Sequence, residues 1–290
     1  MSLSVSIAIL LQAIAPQAAT EPAPVKPDIV VEARNEAVIR DFVKRLADPM
    51  PTHQLPRWDR QICTGVIGLD AAQAQMMNDR IAQIANSVHL RSGKPGCSPT
   101  ILIVVSPQAD AVAKSVADKY PITLRREGSA RLDRFRQPKQ PVRWIGTTYE
   151  GAATNAAPAL NGYFKDGALP SAASSGFTGS ATRINEITRG IVSSMLVIVD
   201  PAQIGSVKLD ALSDYVAMVA LARPGLGRPA PTTSILSLFA DAIVAPRSIT
   251  RFDQDYLSGL YTTSPNHDAS WQASSIARSM KTTKKQDGPK

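Results

Sequence analysis

Two carboxylates and a phenol are the residues best placed for acid–base chemistry. Asp210 and Asp214 stand four positions apart in a segment with helical periodicity, so both side chains can project from one face about one turn apart. Such a pair could act as general acid and base in a hydrolase. It could equally be two solvated carboxylates near the start of a helix, where the dipole favours negative charge. Tyr215, beside them, fits a core residue with its hydroxyl at a rim better than a proton donor.

Other familiar catalytic and metal-binding motifs are absent from the sequence. The three histidines, His53, His89 and His267, are far apart in the chain, and no HExxH, CxxC, GxSxG or Walker-type glycine loop occurs. A Ser–His–Asp site would have to recruit one of these histidines. We therefore expect no metal and no cofactor, and we name no catalytic residue beyond the weak candidates Asp210, Asp214 and Tyr215.

Residues 209–261 give the clearest succession of elements. The run LDALSDYVAMVALARP has the apolar spacing of a helix that buries one face, and Pro224 with Gly225 ends it. The stretch TTSILSLF follows, with Thr232 or Thr233 as the expected cap of a short helix. In ITRFDQDYLSGLY, Thr250 opens a third helix and Asp253 takes the glutamate position of a capping box.

This order of motifs resembles the C-terminal half of a zincin metalloprotease, over about 55 residues. In zincins an HExxH helix precedes a turn with a SIM-like stretch and a last helix reading LTxxDxxxLxxLY. The segment is also similar to exported bacterial proteins that carry LADYxAMxxLA and LTxxDxxYLxxLY. The resemblance implies that Asp214 and Met218 take the places of the zinc histidines and Tyr215 that of the catalytic glutamate. A thioether and one carboxylate do not make a zinc site, so the resemblance implies the fold without the activity.

The N-terminal region and the cysteines suggest export. Residues 5–15 form a short apolar run followed by Pro16, typical of a signal peptide over residues 1–19, although no basic residue precedes it. A buried N-terminal helix is the alternative. Residues 20–28 are a proline-rich linker. Cys63 and Cys97 are the only cysteines, and in an exported protein such a pair is more often bridged than free, so we predict a disulfide. Two buried thiols would be the other possibility.

The net charge of +8 suggests affinity for anionic partners. Basic residues concentrate in residues 125–143 and 278–290. The candidate anion-contacting residues are Arg125, Arg126, Arg131, Arg134 and Arg136. Aromatic residues do not alternate with them as on a single-strand nucleic-acid platform, so we expect no nucleic-acid partner. A solvated basic face is the simpler interpretation; an anionic component of the cell envelope is the functional one.

Apolar runs elsewhere predict the sheet. Strands are expected at residues 61–69, 100–105, 142–149 and 195–199, with helices between them. We predict a single α/β or α+β domain over residues 29–262, with a mixed sheet of about four to five strands packed by helices. Residues 150–180 should form a long flexible loop. Residues 263–290 should be a basic, disordered tail, with weak helical character at 269–280 that could reach a membrane surface.

The sequence thus favours a non-catalytic periplasmic or secreted protein, an interaction module with an envelope partner and no transmembrane helix in its mature form. The alternative is a hydrolase that acts on peptide or cell-wall material through an unrecognised acidic site. Convergence of Asp210 and Asp214 with a third polar group in one cleft would favour the hydrolase.

Overall fold

A four-stranded sheet forms the centre of the protein. The computed structural model describes residues 36–50, 54–152, 188–225, 229–240 and 245–282, which all belong to one compact unit. The elements are α1 (Glu36–Leu46), β1 (Thr64–Ile67), α2 (Ala71–Ser87), β2 (Ile101–Val105), α3 (Ala109–Lys119), α4 (Pro121–Arg125), α5 (Ser129–Arg136), β3 (Val142–Ala152), β4 (Thr188–Val199), α6 (Leu209–Ala222), α7 (Arg251–Thr262) and α8 (Ala269–Thr282). A 3-10 turn at Ile235–Ser237 lies between α6 and α7.

The strand order is β1-β2-β4-β3, with β1, β2 and β4 parallel and β3 antiparallel at the edge. The predicted mixed α/β class with about four strands is therefore confirmed. The predicted strands all lie in this sheet, but β3 extends to Ala152 and β4 begins at Thr188. Residues 150–152 thus belong to a strand, not to the expected loop. The remaining loop residues, 153–180, lie outside the described residues, as do the expected signal peptide and linker.

Helices cover both faces of the sheet. The larger core contains Ile101, Ile103 and Val197 on one face, packed with α2, α6 and the helices around them. The smaller core contains Ile145 and Ile198 on the other face, packed with α3, α4 and α5. Successive strand residues point to opposite faces, so β2 and β4 bury apolar side chains on both. The apolar runs TILIVV and MLVIV follow from this double burial.

Two helix starts are the ones the sequence predicts. The Asp70 side chain accepts a hydrogen bond from the Gln73 amide at the start of α2. At α7, Thr250 and Asp253 make a reciprocal capping box. The short turn before α7 is capped by Ser234, not by Thr232 or Thr233, and the Ser234 hydroxyl is hydrogen-bonded to Asp253. The fully buried Asp253 carboxylate therefore fastens the turn to α7 as well as capping the helix.

Residues 269–282 form a helix, so the prediction of a disordered tail is wrong there. Asp268 caps α8 by accepting hydrogen bonds from the Ser270 and Trp271 amides, and its bond with the Ser270 hydroxyl is the largest cause lowering the pKa of its carboxyl. Ile276 and Met280 are fully buried in the larger core. Protein therefore covers these two apolar residues of the stretch expected to reach a membrane, whereas Trp271 stays exposed and stacks on His267. Residues 283–290 lie outside the described residues.

Candidate functional site

Asp214 is a buried structural anchor. Its side chain is 2% exposed and forms a salt bridge with Arg80 of α2, with Arg80 Nη2 3.1 Å from Asp214 Oδ2. The same oxygen accepts a hydrogen bond of 2.7 Å from the backbone amide of Ile249. One carboxylate on α6 therefore holds both α2 and the segment that leads into α7. Because Arg80 and Ile249 already donate to it and only 2% of it is exposed, the Asp214 side chain is not accessible to a substrate.

Asp210 does not join Asp214 in a cleft. It lies one helical turn earlier on α6 and is exposed. Both carboxylates interact with Arg80: the hydrogen bond that Arg80 donates to Asp214 is the main cause raising the pKa of Arg80, and the charge of Asp210 adds to it. The two carboxylates thus lie near the same cation. In the described part of the chain, no group of three His, Cys, Asp or Glu side chains is placed to hold a metal ion.

Tyr215 lies at the wall of a cavity. The residue is 7% exposed, its ring meets Phe239 edge to face with centroids 4.9 Å apart, and burial raises the pKa of its phenol. Its hydroxyl has no hydrogen-bond partner among the described residues, and the cavity it lines has a volume of about 280 Å³. The oxygen itself is not fully buried, so it is accessible from the cavity and available to a ligand. The expectation of a core tyrosine with its hydroxyl at a rim matches this position.

The cavity, called here the Tyr215 cavity, lies at the edge strand of the sheet. Val142 and Trp144 of β3 form one side, Tyr215 of α6 lies at another, and Leu236 and Phe239 follow from the turn before α7. The end of α1 and the segment after α6 complete it. The site was not predicted, because Trp144 and Tyr215 are far apart in the sequence and only the packing of α6 on the sheet brings them together.

Cations border the Tyr215 cavity. Arg134 of α5 and Arg45 of α1 both line it, together with the Gln140 amide. Arg45 is paired with Asp41, whereas the exposed Arg134 side chain donates to Gln137 and has no carboxylate partner among the described residues. The described residues that line the cavity include no Asp or Glu. Its polar lining is therefore rich in donors and in positive charge.

The other candidate arginines do not form one patch with Arg134. Arg131 is largely buried in a salt bridge with Asp48, and burial lowers its pKa to about 9. Arg125, Arg126 and Arg136 are exposed, and Arg136 lies 3.8 Å from Asp118. The stretch that carries them forms the short helices α4 and α5. Of the five, Arg134 alone lines the Tyr215 cavity.

A buried ionic network beside this site was not predicted. Arg223 takes a left-handed conformation, with φ of 46°, directly after α6 and forms salt bridges with Glu127 and Asp48. Glu127 also accepts a 2.7 Å hydrogen bond from the backbone amide of Thr148 in β3, which covers part of the free edge of the sheet. Burial raises the pKa of Glu127 and the charge of Arg223 opposes this rise. No local pattern reveals contacts between residues this far apart.

The predicted disulfide is present. Cys63 and Cys97 are bonded, with an S–S distance of 1.99 Å. The bond joins the residue before β1 to the loop before β2. Gly93 lies so close that an added Cβ would be 2.5 Å from the Cys97 sulfur, so the loop needs glycine there.

No helix in the described part of the chain is long and apolar enough to cross a membrane. Comparison with protein-family models, with curated proteins and with solved structures gives no match.

Proposed function

We propose that this is a non-catalytic exported protein, an interaction module that binds one partner in the cell envelope through the Tyr215 cavity. The observation that carries the proposal is the contrast between Asp214 and Tyr215. The carboxylate best placed for catalysis is engaged in structure, whereas the tyrosine hydroxyl beside it faces a cavity without a partner among the described residues. The Tyr215 hydroxyl, in a cavity lined by other hydrogen-bond donors, is better suited to binding a ligand than to hydrolysis.

The proposal includes a degenerate zincin-like C-terminal half. In that resemblance Asp214 and Met218 stand where two zinc ligands would be, and Tyr215 where the catalytic glutamate would be. Asp214 is bound by Arg80, and Met218 is fully buried in the core. Neither side chain is among those that line the Tyr215 cavity. These placements support a binding role in a fold that a metalloprotease would use for chemistry.

Export to the periplasm or beyond is the second part of the proposal. The disulfide supports it, because such bonds persist in oxidising compartments and are rare in the cytosol. The apolar run at residues 5–15 supports a signal peptide over residues 1–19. Since nucleic acid is scarce in the envelope, the basic surface fits an anionic envelope component or an envelope protein better than DNA or RNA.

A hydrolysis assay tests the non-catalytic part of the proposal. The oxidised protein, Asp210→Asn and Tyr215→Phe would be incubated with unstructured protein and with purified cell wall. We expect no product above the buffer blank from any of the three, because among the described residues no acid and base converge in one cleft. Turnover by the wild type that falls at least ~100-fold in Asp210→Asn, with an unchanged melting temperature, would establish the hydrolase instead.

A further inference from the structure

We infer that the Tyr215 cavity selects a small organic carboxylate with an apolar body. The inference rests on the proposed function, and it names the chemical class of group that the cavity receives. It applies to a free carboxylic acid and to the C-terminal residue of a polypeptide, which share this chemistry.

Charge selects the head group. Arg134 and Arg45 line the cavity, while no carboxylate among the described lining residues neutralises them there. Arg134 is the more available of the two, because Arg45 is already held by Asp41 and by the carbonyl of Pro229. A guanidinium binds a carboxylate through two parallel hydrogen bonds, and it repels an ammonium group.

Unpaired donors sharpen the selection. The Tyr215 hydroxyl has no partner among the described residues, and Arg134 lies close enough that its charge counteracts part of the burial effect on the pKa of Tyr215. The indole Nε1 of Trp144, another lining residue, is buried and also lacks an acceptor in the described part of the chain. The Tyr215 hydroxyl opens onto the cavity and can donate to an acceptor on a bound ligand. The Trp144 indole is buried behind the cavity surface, so it adds a local dipole rather than a direct contact.

Size and walls select the rest of the ligand. The volume of about 280 Å³ accommodates about a dozen non-hydrogen atoms, at ~20–30 Å³ for each. Leu236, Phe239 and Val142 supply apolar walls, and prolines close the side formed by the segment after α6. Such walls favour an aromatic or aliphatic body of about phenyl size. Sugars and inorganic phosphate lack this apolar part.

The test compares two probes of equal shape, 3-phenylpropionate and its uncharged amide, by isothermal titration calorimetry with the oxidised protein. We expect the acid to bind at least ~10-fold more tightly than the amide. Arg134→Gln should lower the affinity for the acid at least ~10-fold. Tyr215→Phe, which removes only the hydroxyl, should lower it about 3- to 10-fold. Arg136→Gln is the matched control on the same helix, outside the cavity, and should leave binding unchanged.

A second pair of probes distinguishes the two sources. A hexapeptide of five alanines and a C-terminal phenylalanine would be titrated as the free acid and as the C-terminal amide. If the cavity receives the end of a polypeptide, the free-acid peptide should bind at least ~10-fold more tightly than 3-phenylpropionate, because its extra residues add contacts outside the cavity. If it receives a free acid, the peptide should bind no more tightly.

Equal binding of 3-phenylpropionate and its amide would overturn the carboxylate inference while leaving a binding cavity in place. If neither acid bound with a Kd below ~10 mM, the inference would also be overturned. The proposed function fails on a different result, which is turnover in the hydrolysis assay. If Arg134→Gln and Arg136→Gln lowered the affinity for the acid equally, the effect would be one of general charge only. That result would also contradict the inference.

Discussion

Asp214→Ala is expected to lower the free energy of unfolding by about 3 kcal/mol, the usual cost of breaking a buried ion pair from one side. The substitution leaves the Ile249 amide without its acceptor and Arg80 without its bidentate partner. It also removes the polar link from α6 to α2 and to the segment that leads into α7. Urea unfolding at pH 7, followed by far-UV circular dichroism, measures the loss.

The exposed carboxylate one turn earlier provides the control. Asp210→Ala should change the free energy of unfolding by no more than ~0.5 kcal/mol, because surface substitutions seldom cost more. The free energy of unfolding of Asp214→Asn should lie between those of the two alanine variants. Its amide oxygen can still accept the hydrogen bond from the Ile249 amide but has no charge to pair with Arg80. If Asp214→Ala were as stable as Asp210→Ala, Asp214 would not be a structural anchor and a chemical role for it would return.

Removal of the disulfide by Cys63→Ser with Cys97→Ser is expected to cost about 4 kcal/mol. The two cysteines are 34 residues apart, and in the chain-entropy model closing a loop of this length restricts the unfolded chain by about that amount. The bond lies between β1 and β2, so the end of the sheet should open first. Guanidinium unfolding of the double variant, and of wild type with and without reductant, measures the effect.

Reduced wild type should lose nearly as much stability as the double variant, and the small difference between the two measures the effect of the serine hydroxyls. Cys63 is 5% exposed, so the serine at that position adds a modest desolvation cost of its own. Equal stability of oxidised and reduced wild type would show that the bond contributes nothing, and it would remove the main structural support for export.

Local patterns were sufficient for much of the fold. The cap at Asp70, the capping box of Thr250 and Asp253, and the buried strand at 100–105 depend on neighbours within a few residues, and each is in the structure. β4 was predicted too short because its first half, TRGIVSS, has only two apolar residues among polar ones and a glycine. Arg57 forms a parallel bridge with Ile191 in that half, and Gln54 donates a hydrogen bond to the Thr188 carbonyl, contacts that no pattern within the strand predicts.

Long-range packing explains the remaining differences. α8 has a weak apolar stripe, yet Ile276 and Met280 find a groove beside α1 and α7, and burial there outweighs the modest propensity of the segment. At the site, Tyr215 and Arg134 were named from sequence for separate reasons. Their meeting with Trp144 at one cavity depends on tertiary structure. The sequence could supply the chemical groups but not their convergence.

Blocking the Tyr215 cavity tests the central claim most directly. Ala240 lines the cavity with an exposed side chain, so Ala240→Trp should fill it without disturbing the core; Ala72→Trp, on the exposed first turn of α2, is the matched control. Immobilised oxidised protein would be exposed to a fractionated envelope extract, and each retained component titrated. We predict one component that binds saturably to wild type and Ala72→Trp and at least ~10-fold more weakly to Ala240→Trp, and that is recovered uncleaved. Equal binding by all three proteins, or recovery of that component in cleaved form, would contradict the account.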